Sequence, residues 1–282
     1  MKIDDWLIVQ RGNSPLLCSI PHAGTCIPKE YVHDFSSPWH ATRDADWWMP
    51  ELYGFLRDMG ATIVRTEISR SVIDVNRDPS GVSLYPGMAT TGLCPDSDFD
   101  GAPLYRSGGE PSQNDIERRR KAFHEPYHAA LSKEVIRLRE LHSAILVYDC
   151  HSIRSVIPRL FPGILPNMNI GTNDGKSCGA GLGEMIRTVC EASEFSCVLN
   201  GRFKGGWITR AHGNPSSGVH AVQMELACRS YMDEPLTDLN EENWPPKWHP
   251  ERAVGIQRVL RTVLTEAMNW IGTPNKTWAN DV

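Results

Sequence analysis

The chain has 282 residues, of which 40% are hydrophobic, so it can bury the core of one large α/β domain or two small ones, and we expect one domain spanning residues 1–282. Its formal net charge is −5 and its longest basic run is Arg118-Arg-Arg-Lys121, which argues against nucleic-acid and membrane-surface partners. Eight cysteines without a C-x-x-C pair, the lack of a signal-peptide pattern and apolar runs well under ~20 residues favour a reduced, cytoplasmic protein without a transmembrane segment.

The N-terminal part of the chain alternates between strand and helix patterns. Residues 15–20 predict a buried strand that ends in the loop Pro21-His22-Ala-Gly24. Apolar residues at helical spacing predict a helix over 46–59, and residues 61–66 predict a second strand. Residues 78–113 are rich in Gly, Pro, Ser and Asp without a clear period, which predicts a long ordered loop or lid over a site.

The remaining elements continue this alternation. Helices are predicted over residues 114–141, 181–191 and 252–271, and strands over 143–152, 197–200 and 218–226. Strands interleaved with helices predict a three-layer α/β/α fold with a central mixed, largely parallel sheet.

An Asp-x-His pair at the end of an apolar strand is the most informative motif. Side chains alternate along a strand, so Asp149 and His151 point to the same face at the sheet edge where open α/β sheets place their chemistry. This is the geometry of a metal ligand beside a supporting carboxylate. The alternative is that His151 only caps the strand through a hydrogen bond.

Other strand ends supply the remaining parts of a catalytic metal site, which needs three protein ligands and a nearby base. His22 follows the first strand, and Glu225 lies late in a C-terminal strand. Asp44 and Asp46 stand at the start of the first helix and can present a carboxylate, although Asp44 also suits a helix N-cap.

The run His124-Glu-Pro-Tyr-His128 matches the H-E-x-x-H pattern of zinc metalloproteases. Pro126 removes a helical hydrogen bond and clashes with the preceding turn, so we expect His124 and His128 not to share one unbroken helix. The two histidines are therefore expected to pack near the sheet or cap a helix.

Two cationic runs are candidates for binding a substrate with free carboxylates. Arg70, Asn76 and Arg77 lie within one nine-residue run, and the planar guanidinium group binds carboxylates in a bidentate manner. An ion pair from Arg77 to Asp74 or Asp78 is the alternative. The run Gly201-Arg-Phe-Lys-Gly-Gly-Trp-Ile-Thr-Arg210 lacks the order of a phosphate-binding loop, and we interpret it as a second anion-facing lip.

These motifs resemble the N-formylglutamate amidohydrolase (deformylase) family of histidine degradation. The resemblance extends in order from about residue 15 to about residue 233. It rests on the runs Ser19-Ile-Pro-His-Ala-Gly24, Asp44-Ala-Asp-Trp47, Ser69-Arg-Ser-Val-Ile-Asp-Val-Asn-Arg-Asp78, Asp149-Cys-His-Ser152, Asn169-Ile-Gly-Thr172, Arg202-Phe-Lys-Gly-Gly206 with Ile208-Thr-Arg210, and Val219-His-Ala-Val-Gln-Met-Glu225.

That family is similar in turn to zinc carboxypeptidases and aspartoacylases, and the likeness implies their fold and site order. It implies that His22 and His151 bind one divalent metal ion, expected to be Zn²⁺, although cobalt, manganese and iron accept the same ligands. The relatives have a Glu ligand three residues after the first His, where this chain has Thr25. We expect Asp46 to replace it, with Asp44 and then Glu67 as the alternatives. The implied base is Glu225, and the residues implied to bind the small dicarboxylate substrate are Arg70, Asn76, Arg77 and Arg210.

The expected activity is therefore metal-dependent hydrolysis of N-formyl-L-glutamate to formate and L-glutamate. A hydrolase of other N-acyl amino acids or small peptides is one alternative, because a site that fixes carboxylates does not limit the acyl group. A non-catalytic metabolite-binding protein is the other. The presence of Glu225 argues against it, since a binder needs the cations but not the base.

Overall fold

The computed structural model describes residues 5–235 and 239–273, and a mixed sheet forms the centre of this part of the chain. The sheet has the strand order β1-β3-β2-β4-β7-β5-β6. Its strands are β1 (Leu7–Gln10), β2 (Leu16–Ile20), β3 (Thr62–Thr66), β4 (Ile145–Ile153), β5 (Met168–Gly171), β6 (Cys197–Leu199) and β7 (Val219–Ala227).

The four central strands β3, β2, β4 and β7 are parallel to one another. Edge strand β1 is antiparallel to β3, and β5 and β6 run parallel to each other but antiparallel to β7. Every residue of β4 and β7 is buried, which explains why the central strands are largely apolar and were predicted from the sequence.

Helices cover both faces of the sheet. They are α1 (Met49–Leu52), α2 (Gln113–Arg119), α3 (Glu125–Leu141), α4 (Leu182–Glu191), α5 (Trp207–His212) and α6 (Pro250–Ile271). On one face Leu146 and Tyr148 of β4 share a core with α1, α4 and α6, and on the other Ile145 and Val147 share a core with α3. The alternation along β4 therefore divides two cores, and the predicted three-layer α/β/α fold is confirmed.

The first predicted helix is much shorter than expected. Only Met49–Leu52 is α-helical, and a 3₁₀ turn follows at Gly54–Leu56. Trp48 has a φ of 64°, which prevents an earlier helix start, and Gly54 weakens the continuation. Asp46 consequently lies in a loop before α1 rather than in the helix.

The helical segment that contains Pro126 is also different from the prediction. A π-helical turn, Arg120–His124, joins α2 to α3, so helical backbone continues from Gln113 to Leu141. The Glu125 N–H donates to the Arg120 carbonyl, five residues back, and this wider turn makes room for the Pro126 ring. His124 ends the π turn and His128 lies in α3, so the two histidines do not share one regular α-helix, as Pro126 led us to expect, although helical backbone continues through the junction.

Residues 67–112, which include most of the predicted loop, contain neither a helix nor a strand of the sheet. The Tyr85 hydroxyl donates to the Gly205 carbonyl at 2.9 Å and thereby joins this long loop to the segment before α5. All eight cysteines are free thiols. Within 5–235 and 239–273, no helix combines the length and the apolar character needed to cross a bilayer.

Candidate metal centre and substrate pocket

The polar side chains predicted to form a site meet at the carboxyl ends of the parallel strands. In the β4–β7 register, Asp149 is opposite Gln223 and His151 is opposite Glu225, so these four side chains share one sheet face. His22 lies in the loop that follows β2. Strand β2 pairs with β4 on the edge opposite to β7. The fold thus brings His22, His151 and Glu225 to one sheet edge, the place where open α/β sheets bind ligands.

Three buried side chains form a candidate metal centre. One ligand atom from each of His22, Asp46 and His151 can be chosen so that all three lie within 4.8 Å of one another. Asp46 Oδ2 is 3.7 Å from His22 Nδ1 and 3.1 Å from His151 Nδ1. His22 Nδ1 is buried and has no hydrogen-bond partner. A buried nitrogen without a partner, beside a carboxylate and a second imidazole, fits a divalent transition metal.

Each histidine has a carboxylate at its second ring nitrogen. His22 Nε2 donates to Asp74 Oδ1 at 2.7 Å, and His151 Nε2 lies 2.9 Å from Asp149 Oδ2. This arrangement directs both Nδ1 atoms toward Asp46 and is typical of histidines that bind metals. The sequence pattern predicts Asp149 in this role but indicates Asp74 only as an ion-pair partner for Arg77.

The charges in the cluster support one another. Burial works to raise the pKa of the Asp46 carboxyl, but His22 and His151 outweigh burial and lower it. Burial also works to lower the pKa of His151, and here Asp149 and Asp46 outweigh it, so the pKa is raised well above its usual value. The fold therefore keeps negative charge at Asp46, as a metal ligand requires.

The two alternative carboxylates lie outside this cluster. Asp44 Oδ2 accepts a hydrogen bond from the Phe99 backbone N–H at 2.7 Å, and burial raises the Asp44 pKa to about 6. Glu67 forms an ion pair with Arg65 at 2.6 Å. Of the three carboxylates considered, the fold brings Asp46 to the two histidines.

Arg70 is engaged by the carboxylates of the cluster. Its NH2 group donates to Asp74 Oδ2 at 2.7 Å and its NH1 group to Asp46 Oδ1 at 3.4 Å. The guanidinium carbon also lies 4.9 Å from the centre of the Phe99 ring. Arg70 lines the pocket, but its charge is already balanced by Asp46 and Asp74.

Asn76 and Arg77 have different surroundings. Asn76 Nδ2 donates to Asp149 Oδ2 at 3.0 Å and lies 2.9 Å from His151 Nε2, so this amide supports the metal centre. Arg77 donates to the carbonyl and hydroxyl oxygens of Thr91 and lies 3.6 Å from Asp74 Oδ2. The ion pair to Asp74 that was the alternative for Arg77 is thus present, but the guanidinium still lines the pocket.

A pocket opens directly above the metal centre. Its empty volume is about 580 Å³ when the open mouth is counted. Its lining combines apolar and aromatic side chains with arginines. Its lining includes His22, Arg70, Arg77, Phe99, His151, Arg202 and Glu225.

Arg202 lines this pocket, whereas Arg210 does not. Arg202 donates to the carbonyls of Leu160 and Ala89, and no described carboxylate lies within ion-pair distance of it. Arg210 packs on the Tyr85 ring at 5.3 Å and donates to the Gly205 carbonyl. The sequence predicts that the run containing both arginines faces an anion through Arg210, whereas in the structure it is Arg202 that lines the pocket.

Glu225 lies beside the candidate ligands and is only 7% exposed. Burial, aided by the nearby Asp46 charge and opposed by His151, raises its pKa to about 8. Gln223 Nε2 donates to Glu225 Oε2 at 3.2 Å and orients the carboxyl group. A buried carboxyl group with a raised pKa next to a metal centre is suited to proton transfer.

His124 and His128 lie outside the metal centre. His124 Nε2 donates to the Arg77 carbonyl at 2.9 Å, and His128 Nε2 donates to the Val75 carbonyl at 2.8 Å. Both imidazoles are thus bonded to backbone and are not arranged around a shared ion.

Residues 14–232 match the family model described as N-formylglutamate amidohydrolase. The N-formylglutamate deformylase of Pseudomonas putida is 43% identical over 95% of this chain and 97% of its own length. The N-formylglutamate deformylase of Pseudomonas aeruginosa is 42% identical over 95% of this chain and 98% of its own.

Solved structures show the same fold. The N-formylglutamate amidohydrolase of Ralstonia eutropha JMP134 superposes with a TM-score of 0.73 at 23% identity, covering 94% of this chain and 98% of its own. An Agrobacterium tumefaciens gene product superposes with a TM-score of 0.69 at 17% identity, covering 95% and 96% of the two chains.

Proposed function

This chain belongs to the N-formylglutamate amidohydrolase family, and from that membership and the site geometry we propose that it hydrolyses N-formyl-L-glutamate to formate and L-glutamate. The observation that carries the proposal is the cluster of His22, Asp46 and His151 beside Glu225. Both histidines are backed by carboxylates, and the cluster lies at the floor of a pocket that contains arginines.

In this proposal His22 Nδ1, Asp46 and His151 Nδ1 bind one divalent ion, with Zn²⁺ as the expected metal. An ion held there supplies a Lewis acid beside the scissile amide, acidifies water and favours the ionised form of Glu225. Asp74 and Asp149 hold the two imidazoles in the orientation that metal binding requires.

Glu225 is the proposed general base and acid. Its carboxylate takes a proton from water as the water oxygen bonds to the formyl carbon; the C–N bond of the formamide then breaks, and the same proton passes to the leaving amine of glutamate, which gives formate and L-glutamate. Burial in the pocket floor, away from bulk water, makes this carboxyl group more basic than an exposed one, which favours proton abstraction.

Arg77 and Arg202 are the proposed partners of the substrate carboxylates. Arg70 supports Asp46 and Asp74, and Asn76 supports Asp149, so these two residues act on the metal centre rather than on the far end of the substrate. Arg210 keeps the indirect role of packing against Tyr85 at the pocket wall. Arg202 donates to two backbone carbonyls but has no carboxylate within ion-pair distance among the described residues, so its charge and its remaining N–H groups suit an anionic ligand.

The wider setting belongs to the same proposal. The family resemblance suggests that the reaction serves histidine degradation in the cytoplasm, with a small dicarboxylate as the substrate.

The direct test is formate release from N-formyl-L-glutamate by the purified protein. The protein is first stripped of metal with a chelator and then reconstituted with Zn²⁺, Co²⁺ or Mn²⁺ in separate samples. We expect activity to disappear on stripping and to return with at least one metal. Absence of turnover in every reconstituted sample would refute the proposed function.

Two further substrates define the specificity. N-acetyl-L-glutamate tests the acyl group, and N-formyl-L-glutamine tests the side-chain carboxylate. We expect both to be poor substrates. The acetyl group is larger than the formyl group that the site is proposed to bind, and the glutamine side chain leaves a cation of the site unpaired. Similar efficiency with N-formylglutamine would show that the enzyme is a more general N-formyl amino acid hydrolase.

A further inference from the structure

Three imidazoles contact one another in a row beside residues 75–77, outside the groups used in the proposed reaction: His124 stacks on His128, and His128 is coplanar with His212 and hydrogen-bonded to it. The ring centres of His124 and His128 are 4.4 Å apart, and those of His128 and His212 are 5.2 Å apart with an interplanar angle of 2°. His124 and His128 come from the π turn and α3, whereas His212 ends α5. We call these residues the imidazole stack.

Hydrogen bonds fix the tautomers of the stack. A carbonyl oxygen can only accept, so His128 Nε2 carries the proton that it donates to Val75. His128 Nδ1 is then the acceptor in its 2.9 Å contact with His212 Nε2, which must donate. The stack is therefore a directed chain from α5 through α3 to the backbone of residue 75.

The carbonyls bound by the stack lie on either side of Asn76. His128 holds the Val75 carbonyl and His124 holds the Arg77 carbonyl, at 2.8 Å and 2.9 Å. Between them the Asn76 carbonyl accepts from the Trp207 N–H at the start of α5. Each of the three consecutive carbonyls is thus bound by a helical segment of the fold.

Residues 75–77, whose three carbonyls are held in this way, include side chains of the site. The Asn76 amide contacts Asp149 and His151, and the Arg77 guanidinium lines the pocket. Arginine must be held within a fraction of an ångström to use its bidentate geometry, because misplacement of about 1 Å can cost ~10²-fold in rate. The backbone under Arg77 is consequently as important as its side chain.

We propose that His124 and His128 are positioning residues that fix the backbone of residues 75–77, so that Arg77 is preorganised to bind a carboxylate of the substrate. This inference rests on the proposed function for the identity of the substrate. His124 is the last residue of the π turn, and from there its imidazole contacts His128 and the Arg77 carbonyl.

The test is a double-mutant cycle between His124 and Arg77, with metal content checked in each protein. In His124→Phe the ring is kept and the donor is lost. We expect the KM for N-formyl-L-glutamate to rise about tenfold or more, with kcat changed less than about threefold and metal retained. In an Arg77→Lys background the same change should alter KM by less than about twofold, because the guanidinium group that His124 is proposed to position is absent.

Matched variants separate positioning from general stability. His124→Gln retains a donor near the Nε2 position and should restore most of the KM. His142 makes the same kind of bond, from Nε2 to the Asn13 carbonyl at 2.7 Å, far from residues 75–77. His142→Phe should therefore leave KM unchanged. An equal rise in KM in the wild-type and Arg77→Lys backgrounds, or an equal effect of His142→Phe, would overturn the inference.

Hydrogen exchange gives a readout that needs no substrate. Amide exchange in the peptide that contains residues 75–77 should become faster in His124→Phe and His128→Phe and remain unchanged in His142→Phe. Unchanged exchange in the first two variants would refute the proposal that His124 and His128 fix the backbone of residues 75–77. If His124→Phe does not fold, His124→Leu and His128→Phe provide the same comparison. Lack of turnover by the reconstituted wild type would instead refute the proposed function and leave the exchange result to decide this inference.

Discussion

Asp74 accepts more hydrogen bonds than Asp149, the other carboxylate that supports a candidate metal-binding histidine. Its Oδ1 atom accepts from His22 Nε2 and from the Asn76 backbone N–H, while Oδ2 accepts from Arg70. Burial works to raise the pKa of Asp74, but Arg77, His22 and Arg70 outweigh burial and lower it well below its usual value. Asp74 therefore stays ionised and keeps a proton on His22 Nε2, which leaves the Nδ1 lone pair for a metal.

We predict that Asp74→Asn weakens metal binding by about 10–100-fold, the usual effect of losing a group that orients a ligating histidine. The amide can keep a hydrogen bond but cannot balance the charge of the bound ion. Competition with a chromophoric chelator measures the affinity. Asp78→Asn is the control: the Asp78 carboxylate accepts from the Ser80 N–H and hydroxyl, outside the metal centre, so this variant should bind metal like the wild type. Equal affinities for all three proteins would contradict the role of Asp74.

Glu225→Gln keeps the shape of the side chain but removes its ability to accept a proton. We expect turnover to fall by ~10²–10⁴-fold while metal content is unchanged, because general acid–base catalysis contributes that much. The control is Glu67→Gln, the same substitution at a carboxylate that pairs with Arg65 outside the metal centre. Gln223 is not used as a control because it contacts Glu225. Retention of a tenth of the wild-type turnover by Glu225→Gln would exclude it as the base.

At the residue scale, sequence reasoning succeeded where a regular period fixes side-chain direction. Asp149 could be placed beside His151 because strand side chains alternate. Asp74 and Arg202 lie in loops, where no period tells which way a side chain points. The Asp74–His22 contact joins residues 52 apart, and the bonds of Arg202 reach Leu160 and Ala89, 42 and 113 residues away. Only the folded packing of these loops reveals the two residues.

At the scale of elements, the start of α5 is packed tightly against Asn76. The Ile208 N–H donates to Asn76 Oδ1 at 2.8 Å, and Gly206 N–H donates to Gln223 Oε1 at 2.7 Å. A β-carbon at Gly206 would lie 2.5 Å from the Asn76 amide atoms. Because three partners hold that amide, it cannot move away without disturbing the supports of His151.

Gly206→Ala is therefore expected to lower kcat/KM by roughly 10–100-fold through displacement of Asn76. Gly206 has a φ of −83°, so backbone strain does not contribute to the effect. Steady-state kinetics with a thermal unfolding curve measures both activity and fold. In Gly54→Ala the new methyl group meets nothing within 4 Å, and this variant should match the wild type. A fully active Gly206→Ala enzyme would show that Asn76 is free to move.

The elements that the sequence predicted are those with long amphipathic or apolar patterns, such as β4, β7 and α6. The three missed elements are short: β1 and β5 have four residues each and α5 has six. Strand β1 lies at a sheet edge, and α5 overlaps a Gly-rich run that has the composition of a loop. Tertiary bonds to Asn76 and Gln223, rather than local propensity, support the start of α5.

For the whole molecule, the imidazole stack makes stability depend on pH. Burial lowers the pKa of His128 to about 3, aided by His124 and His212, and burial lowers that of His212 to about 4 against the opposing charge of Asp149. Burial also lowers the pKa of His124, against Asp74 and Glu125. Histidine in the unfolded chain titrates near 6.5, so below that pH the unfolded state binds protons that the folded state does not.

The stack should consequently contribute its full stability above about pH 6.5 and lose it as the pH falls toward about 4. Urea unfolding from pH 7 to pH 4 measures this change in the wild type and in His128→Gln, which cannot be protonated in this range. We expect the stability difference between the two proteins to shrink or reverse as the pH falls. A difference that stays constant across the range would contradict neutral, buried imidazoles.

The central claim is that His22 Nδ1, Asp46 and His151 Nδ1 bind one divalent ion beside Glu225. A crystal of the reconstituted protein, with anomalous diffraction recorded at the absorption edge of the metal, tests it most directly. We predict a single strong peak at bonding distance, about 2.0–2.2 Å, from those three atoms, with Glu225 adjacent but not bonded to it. A peak between His124 and His128, or an ion that is not bonded to both His22 and His151, would contradict the account.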